Sequence, residues 1–511
     1  MFVCTIGPRW SRRSFLRAGA ASAAGLTFLS WERAVRAASA GEAAATAAAA
    51  DSPPLADLKP VLQEIVRDLE KRVPYASALV MRQDRKDLEV DDQSREIQDV
   101  FPSAGVVFTV WNGAWFEEAG TSDLDLDRLR ATARELAESV KRQSGGRAIE
   151  PGPPLEQSFE TACKVDPRTI PLAERLDRVI DLHKRARAGL GPEFTNCQVS
   201  VLEAETETLF VNRTRALHQR VVRTRGAVTL FASDGSRTVN DYLARGGTGG
   251  WEIVEYTPQD LSELAAETKA LLGATPVPAG EQHVIGDGSV SGTLAHESFG
   301  HGVELDMFVK ERALAAKFVG KRVGSDNVNI LDDPSLVGGY GSYFFDDEGE
   351  LSGPTKIVVK GIFERGLSDL MSATALGVAR SANGRRQDYT RKCYARMSNT
   401  FFNPGTQTVD ELVQGVKQGY FLTKLSHGME DPKGWGIMVV AHVGQEIKDG
   451  KLTGRYAGPI GITGYVPDVL ATVDGVSSEF THDPGTCGKG FKEFVPVSTG
   501  GPHLRFRARL G

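Results

Sequence analysis

Two histidines and a glutamate stand together in the segment His296-Glu297-Ser298-Phe299-Gly300-His301. Neutral imidazole nitrogens bind transition metals, and a neighbouring carboxylate can accept a proton from an activated water. The chain has nine histidines, so H-E-x-x-x-H is expected by chance in roughly one such sequence in a hundred. The pattern favours a hydrolytic metal site, and two ordinary histidines on a helix are the alternative.

The spacing of the two histidines makes a geometric prediction. They are five residues apart, whereas the common H-E-x-x-H pattern places them four apart on one helix face. On an ideal helix, five residues at about 100° each leave two side chains about 140° apart. A regular helix cannot direct both rings to one ion, so we expect a break, a tightening or a bulge at Gly300. Ser289, Ser291 or Thr293 could cap the start of this helix.

A third metal ligand must come from elsewhere, because a catalytic zinc site has three protein ligands and one open position. Cys487 is the most economical choice, since it lies in the glycine-rich segment 481–490 where a thiolate can be accessible. His482 is the rival, with Glu304 or Asp306 behind it. A buried structural thiol is the alternative for Cys487, and spacing alone does not decide between the two.

The N-terminus has the pattern of a secretory signal. Arg12-Arg13 is followed by an apolar run at 18–29 and by Ala37-Ala38-Ser39-Ala40. The paired arginines predict a twin-arginine signal peptide over residues 1–40, and hence a periplasmic or otherwise exported protein. Residues 41–54 are predicted to be a flexible lead-in. The apolar run is too short to span a bilayer, and no later run reaches that length.

Composition limits the remaining possibilities. The chain of 511 residues has a net charge of −6, and this mixed, mildly acidic surface gives no electrostatic footprint for nucleic acid. The length after the signal predicts more than one domain. Four scattered cysteines beyond Cys4 are not a disulfide framework. Cys163 and Cys197 are the nearest pair in sequence and could form a single bridge.

Hydrophobic periodicity predicts an α+β fold. Residues 55–275 are predicted to form an N-terminal α+β domain, with an antiparallel sheet and helices on one of its faces. Residues 276–511 are predicted to form a mainly antiparallel β domain, with the metal-motif helix between the two. The predicted helices are 55–72, 124–143, 172–190 and 258–272, and the predicted short strands of the first domain include 77–81, 106–110, 197–203, 208–212, 217–225 and 227–233.

Several motifs in one order carry a family resemblance. They are H-E-S-F-G-H-G-V-E-L-D at 296–306, G-Y-G-S-Y-F-F-D-D-E-G at 339–349, N-G-R-R at 383–386, R-M-S-N-T-F-F-N-P-G at 396–405, and P-G-T-C-G-K at 484–489. Together they resemble the TldD/PmbA family of metallopeptidases, and specifically its metal-bearing TldD branch. The resemblance covers about the last 220 residues well and the N-terminal half only loosely.

The resemblance implies a C-terminal metallopeptidase domain that hydrolyses unstructured peptides. It implies Zn²⁺ on His296, His301 and Cys487, with Glu297 as the base. Family members work as dimers, so a homodimer or a heterodimer with a metal-free relative is expected. The export signal is a departure, because the best-known members are cytoplasmic. The alternative function is a non-catalytic zinc-binding subunit that binds peptides or acts like a chaperone.

The expected ligand set affects the expected chemistry. A thiolate donates more charge to zinc than an imidazole does, so the ion should be a weaker Lewis acid than with three neutral ligands. A further donor to the oxyanion is then expected. Arg385, His442 and Tyr465 are the candidates for this substrate-binding role, and the sequence does not rank them.

Overall fold

The N-terminal half is organised around one seven-stranded sheet. The computed structural model describes residues 53–490 and 493–511, so the predicted signal peptide and most of the predicted lead-in lie outside the described residues. The strands are β1 Tyr75–Val90, β2 Arg95–Trp111, β3 Phe116–Thr121, β4 Leu155–Glu160, β5 Phe194–Asn212, β6 Arg215–Ser233 and β7 Thr238–Thr248. Their order is β3-β2-β1-β5-β6-β4, and β7 also pairs with β6. All pairs are antiparallel except β4 with β6.

The central strands are much longer than predicted. The separate strands predicted at 197–203 and 208–212 are one strand, β5, and those at 217–225 and 227–233 are one strand, β6. The prediction was wrong because Glu205 and Glu207 in β5, and Gly226 in β6, resemble breaks in sequence. In the sheet the two glutamates pair with neighbouring strands: Arg82 lies 3.1 Å from Glu207, and Arg220 lies 2.7 Å from Glu205.

Four helices cover one face of this sheet, as predicted. They are α1 Leu55–Glu70, α2 Leu126–Ser139, α3 Leu172–Arg187 and α4 Pro258–Ala270. The apolar sides of α1 and α2 pack on one end of the sheet and those of α3 and α4 on the other. The opposite face packs on the C-terminal half, where Phe210 and Leu217 contact Phe345. This is the predicted α+β arrangement.

The C-terminal half is rich in strands, most of which are short. They are β8 Gly280–Gly286, β9 Ile330–Asp332, β10 Thr355–Val359, β11 Ile362–Phe363, β12 Gly384–Arg385, β13 Tyr394–Ala395, β14 Asn399–Phe402, β15 Gln418–Asp431, β16 Gly436–Lys448, β17 Lys451–Ala457, β18 Ile460–Tyr465, β19 Gly475–Val476, β20 Thr481–Cys487, β21 Val495–Gly501 and β22 Leu504–Leu510. The α-helices are α5 Gly288–Phe299, α6 Leu305–Val309, α7 Leu370–Leu376, α8 Val409–Gln414 and α9 Val466–Ala471. Short 3₁₀ helices occur at Pro167–Thr169, Trp251–Val254, Leu271–Gly273, His301–Val303 and Leu314–Phe318.

These strands form a small barrel and a second sheet. Strands β15, β8, β22, β18 and β16 pair in that order, and β16 pairs back with β15 to close the ring. The second sheet has the order β11-β10-β9-β14-β21-β20. Most pairs are antiparallel, as predicted, but β15–β8 and β14–β21 are parallel. Helix α5 lies against β14, β15 and β21, and so between the barrel and the second sheet.

The cysteine prediction is wrong in one respect. Cys163 and Cys197 are both free, as are Cys393 and Cys487. Cys197 is fully buried in the apolar core under α3 and α4, whereas Cys163 is only partly buried. Among the described residues, no helix is both long enough and apolar enough to cross a membrane.

Candidate metal centre

Helix α5 carries the motif into the interior. Every residue of this helix is buried, so its histidine and glutamate side chains are held away from bulk water. Asp287 caps the helix, because its carboxylate accepts a hydrogen bond from the Val290 amide at 2.8 Å. The predicted caps Ser289, Ser291 and Thr293 are wrong, since all three lie inside the helix. Asp287 precedes Gly288, the first residue of the helix, and it accepts from an amide of the first turn that has no partner within the helix.

The predicted break at Gly300 is confirmed. The α-helix ends at Phe299, Gly300 has φ −97° and ψ −83°, and a 3₁₀ turn follows at His301–Val303. A Cβ at Gly300 would lie 2.3 Å from the His296 carbonyl oxygen, so a residue with a side chain does not fit this bend. The bend turns the second ring back, and the two imidazole centroids are 5.3 Å apart at an interplanar angle of 87°.

Three potential ligands meet at one point. The Cys487 sulfur lies 3.3 Å from His296 Nε2 and 3.1 Å from His301 Nε2. One donor atom from each residue lies within 4.8 Å of the others, and among the described residues no other His, Cys, Asp or Glu joins this group. His296 and Cys487 are buried, whereas the His301 side chain remains 21% exposed. Access to the group is therefore from the His301 side.

Cys487 reaches the group through strand pairing. It is the last residue of β20, opposite Val495 in the hairpin with β21, and β21 packs on α5. Burial by itself would raise the pKa of the Cys487 thiol, but the positive charges of His301, Arg396 and His296 hold the pKa well below its usual value. A buried thiolate is the form that binds a metal.

A set of charged residues surrounds the ligands. The carboxylate of Glu304 lies 3.6 Å from His301 Nδ1, and it also contacts Arg396 at 3.1 Å and Lys489 at 2.7 Å. Lys489 contacts Asp306 at 2.6 Å as well. Glu304 and Asp306 are alternative ligands by sequence, but their carboxylates are paired with these cations. Glu304 lies where a carboxylate orients a histidine ligand.

Glu297 lies beside the group on the same helix. It is 8% exposed, and burial raises the pKa of its carboxyl, against the opposing effect of His296 and His301. Strand β15 passes close to it: a Cβ on Gly428 would lie 2.8 Å from both Glu297 Cγ and Oε1. The backbone of β15 therefore confines the glutamate side chain.

One family model matches most of the C-terminal half, and one relative matches most of the chain. Residues 279–509 match the model of the PmbA/TldA metallopeptidase C-terminal domain. A metalloprotease of Methanothermobacter thermautotrophicus is 31% identical over 462 residues, covering 87% of this chain and 97% of the relative. The chain belongs to the TldD/PmbA family of metalloproteases.

Two further proteins are similar to this chain, one in sequence and one in fold. A zinc metalloprotease TldD homologue of Saccharolobus solfataricus is 31% identical over 238 residues, covering 46% of this chain and 52% of the relative. A solved structure from Thermotoga maritima, of a suggested modulator of DNA gyrase, has a TM-score of 0.70 at 16% identity, covering 90% of this chain and all of the other. The second likeness concerns the fold alone.

The predicted oxyanion donors of this family member lie in three different places. Arg385 is buried, and its guanidinium donates to the Met397 and Pro496 carbonyls at 2.6 and 2.8 Å. His442 Nε2 lies 2.8 Å from the Asn240 carbonyl, next to Asp241 rather than in the ligand group. The Tyr465 ring meets the Trp435 ring edge to face, with centroids 6.4 Å apart, and Trp435 in turn packs on Phe299 of the motif helix. The role of these three residues stays a prediction.

His482, the rival third ligand, is not in the group. It lies in β20 opposite Gly500, five residues before Cys487. Since alternate residues of a strand point to opposite faces, a position five residues away cannot substitute for the strand's last residue.

Two neighbours of the site were not foreseen from the sequence. Arg396 is fully buried and its Nη2 lies 3.0 Å from the Cys487 sulfur. It opens the motif at 396–405, so the resemblance contained a signal for it. Glu430 lies beside Gly302, and neither of its carboxylate oxygens, both buried, has a hydrogen-bond partner among the described residues. Burial raises the pKa of Glu430 to about 8, and no pattern in the sequence pointed to it.

Proposed function

We propose that this protein is a zinc-dependent metallopeptidase of the TldD branch that hydrolyses unstructured peptides, with Glu297 as the general base. The observation that carries the proposal is the convergence of two imidazole nitrogens and one thiolate sulfur beside a buried glutamate. Imidazole nitrogens and cysteine sulfur are donors that zinc binds, and three protein ligands leave its fourth position open.

The residues present fit a metal ion. His296 Nε2 and His301 Nε2 both face the Cys487 sulfur, and imidazole nitrogen and cysteine sulfur are both donors that bind zinc. When bound there, zinc would act as a Lewis acid and lower the pKa of a water molecule. The opening on the His301 side supports a site that admits substrate, because a purely structural zinc is enclosed by four protein ligands.

Glu297 would move the proton. Its carboxylate accepts a proton from the attacking water and passes it to the nitrogen of the departing amine. Confinement by the β15 backbone at Gly428 keeps the carboxylate in place for both transfers.

The alternative function is a non-catalytic zinc-binding subunit. A glutamate next to the first ligand argues against it, since a structural site has no use for a base. Glu297→Gln separates the two functions, because the amide retains the shape but cannot take the proton. We expect Glu297→Gln to keep zinc, measured by elemental analysis, and to lose digestion of an unstructured peptide. A wild-type protein that binds zinc without chelator-sensitive peptide cleavage would support the alternative.

Assembly and location are part of the proposal. We propose a dimer, either with itself or with a metal-free relative, on the basis of the family resemblance, and native mass spectrometry of the purified protein measures it. We also propose export by the twin-arginine route. Replacing Arg12 and Arg13 with lysine in the full chain should retain the protein in the cytoplasm, and secretion unchanged by this substitution would refute the proposal.

A further inference from the structure

Arg396 connects two of the three potential ligands. Its Nη2 donates to the Cys487 sulfur and to the Cys487 carbonyl, both at 3.0 Å. Its Nε lies 3.1 Å from Glu304 Oε1, and Glu304 is the carboxylate beside His301. Its Nη1 donates to the Glu493 carbonyl. One rigid guanidinium therefore holds the thiolate on one side and the partner of a histidine on the other.

The buried charge of Arg396 is already balanced without its hydrogen bond to the Cys487 sulfur. Arg396 is 0% exposed, so its charge requires an opposite charge nearby, and Glu304 already supplies one. Two backbone carbonyls accept further hydrogen bonds. The hydrogen bond to sulfur adds a cationic donor to the atom that would bind the metal. Such a donor withdraws electron density from the sulfur.

We propose that Arg396 is a positioning residue that limits the charge the Cys487 thiolate gives to the metal, and so restores Lewis acidity to a site with an anionic ligand. This inference rests on the proposed function of the three ligands. Glu304 has the opposite effect on His301, because a carboxylate near Nδ1 makes the imidazole a stronger donor. Because the Arg396 guanidinium contacts both the Cys487 sulfur and Glu304, it influences how much charge the sulfur and the His301 nitrogen each give to the metal.

Cobalt substitution tests the inference without peptidase activity. Co²⁺ replaces zinc in such sites and shows an absorption band for charge transfer from sulfur to metal. Arg396→Met removes the guanidinium donor to the sulfur while Glu304 keeps Lys489 as its partner. We expect this band to move to longer wavelength in Arg396→Met, because a sulfur without the hydrogen bond loses an electron more easily.

Glu304→Gln is the matched control. It breaks the same buried ion pair but leaves the hydrogen bond from Arg396 to sulfur. We expect the sulfur band of Glu304→Gln to stay at the wild-type wavelength, although its metal affinity falls. A shift of equal size in both variants would show that Arg396 acts only through packing, and would overturn the inference.

A second arginine variant covers the case in which Arg396→Met does not fold. Arg396→Lys retains the charge opposite Glu304, but a single ammonium cannot make all the contacts of the guanidinium. We expect a smaller shift in the same direction, and a wild-type band in Arg396→Lys would refute the inference. If the wild-type protein binds cobalt without any sulfur band, Cys487 is not a ligand and the proposed function is refuted. The role of Arg396 is refuted separately, by the variants.

Discussion

Gly428 offers a way to move the catalytic base without touching a metal ligand. It lies in β15, and a Cβ built there would be 2.8 Å from Glu297 Cγ, Glu297 Oε1 and Thr293 Cγ2. Carbon atoms in contact prefer about 3.5 to 4.0 Å. Gly428→Ala must therefore displace the Glu297 side chain, or the strand, by about 1 Å, while His296, His301 and Cys487 keep their positions.

The expected loss follows from this displacement. A misplacement of about 1 Å in a reacting group can cost about 100-fold in rate, and part of the clash can be relieved by the strand. We expect kcat of Gly428→Ala for an unstructured peptide to fall by about 10- to 100-fold. Zinc content should stay at the wild-type level, because the ligands are untouched.

Gly436→Ala is the matched control. Gly436 begins β16, the strand paired with β15, and a Cβ there would meet nothing within 4 Å. Both variants add one methyl group to the same hairpin, so both change strand propensity alike. We expect Gly436→Ala to keep wild-type kcat, KM and zinc content. Wild-type kcat in Gly428→Ala, with its zinc retained, would refute the assignment of Glu297 as a base confined by β15.

Two other predictions concern the ligands and the helix cap. Cys487→Ser should lose zinc on dialysis against a weak chelator, whereas His482→Ala should retain it, and equal loss in both would contradict the ligand assignment. Burial raises the pKa of Asp287 from 3.8 to about 7, so the folded state holds a proton that the unfolded state has released. The contribution of Asp287 to the free energy of unfolding is complete below about pH 4. It is lost as pH rises towards 7, at up to about 1.4 kcal/mol per pH unit. Asp287→Asn keeps a cap acceptor for Val290, and urea unfolding between pH 5 and 7.5 should show a shallower fall in its free energy of unfolding with pH. If the free energy of unfolding of Asp287→Asn fell with pH as steeply as that of the wild type, the raised pKa of Asp287 would be contradicted.

Local features of the chain were readable from the sequence. The four N-terminal helices were predicted within a few residues, because their apolar positions repeat with the helical period. The bend at Gly300 was also predicted, since five-residue spacing and one glycine are properties of six consecutive residues. Cys487 was open from spacing and became the expected ligand only through the family resemblance.

Contacts between distant segments were decided by the tertiary structure alone. Strand lengths were underestimated because Arg82 and Glu207, separated in sequence, become cross-strand partners only when β1 and β5 pair. The predicted Cys163–Cys197 bridge failed because sequence proximity does not bring two thiols together.

The sequence thus determined the chemical groups and the bend that aims them, because both depend on neighbouring residues. The tertiary structure decided which groups meet. Cys487 joins His296 only because β20 pairs with β21, which packs on helix α5. The Arg396 hydrogen bond to sulfur and the confinement of Glu297 by Gly428 have the same origin. Such contacts depend on how sheets and helices pack, and no local pattern records them.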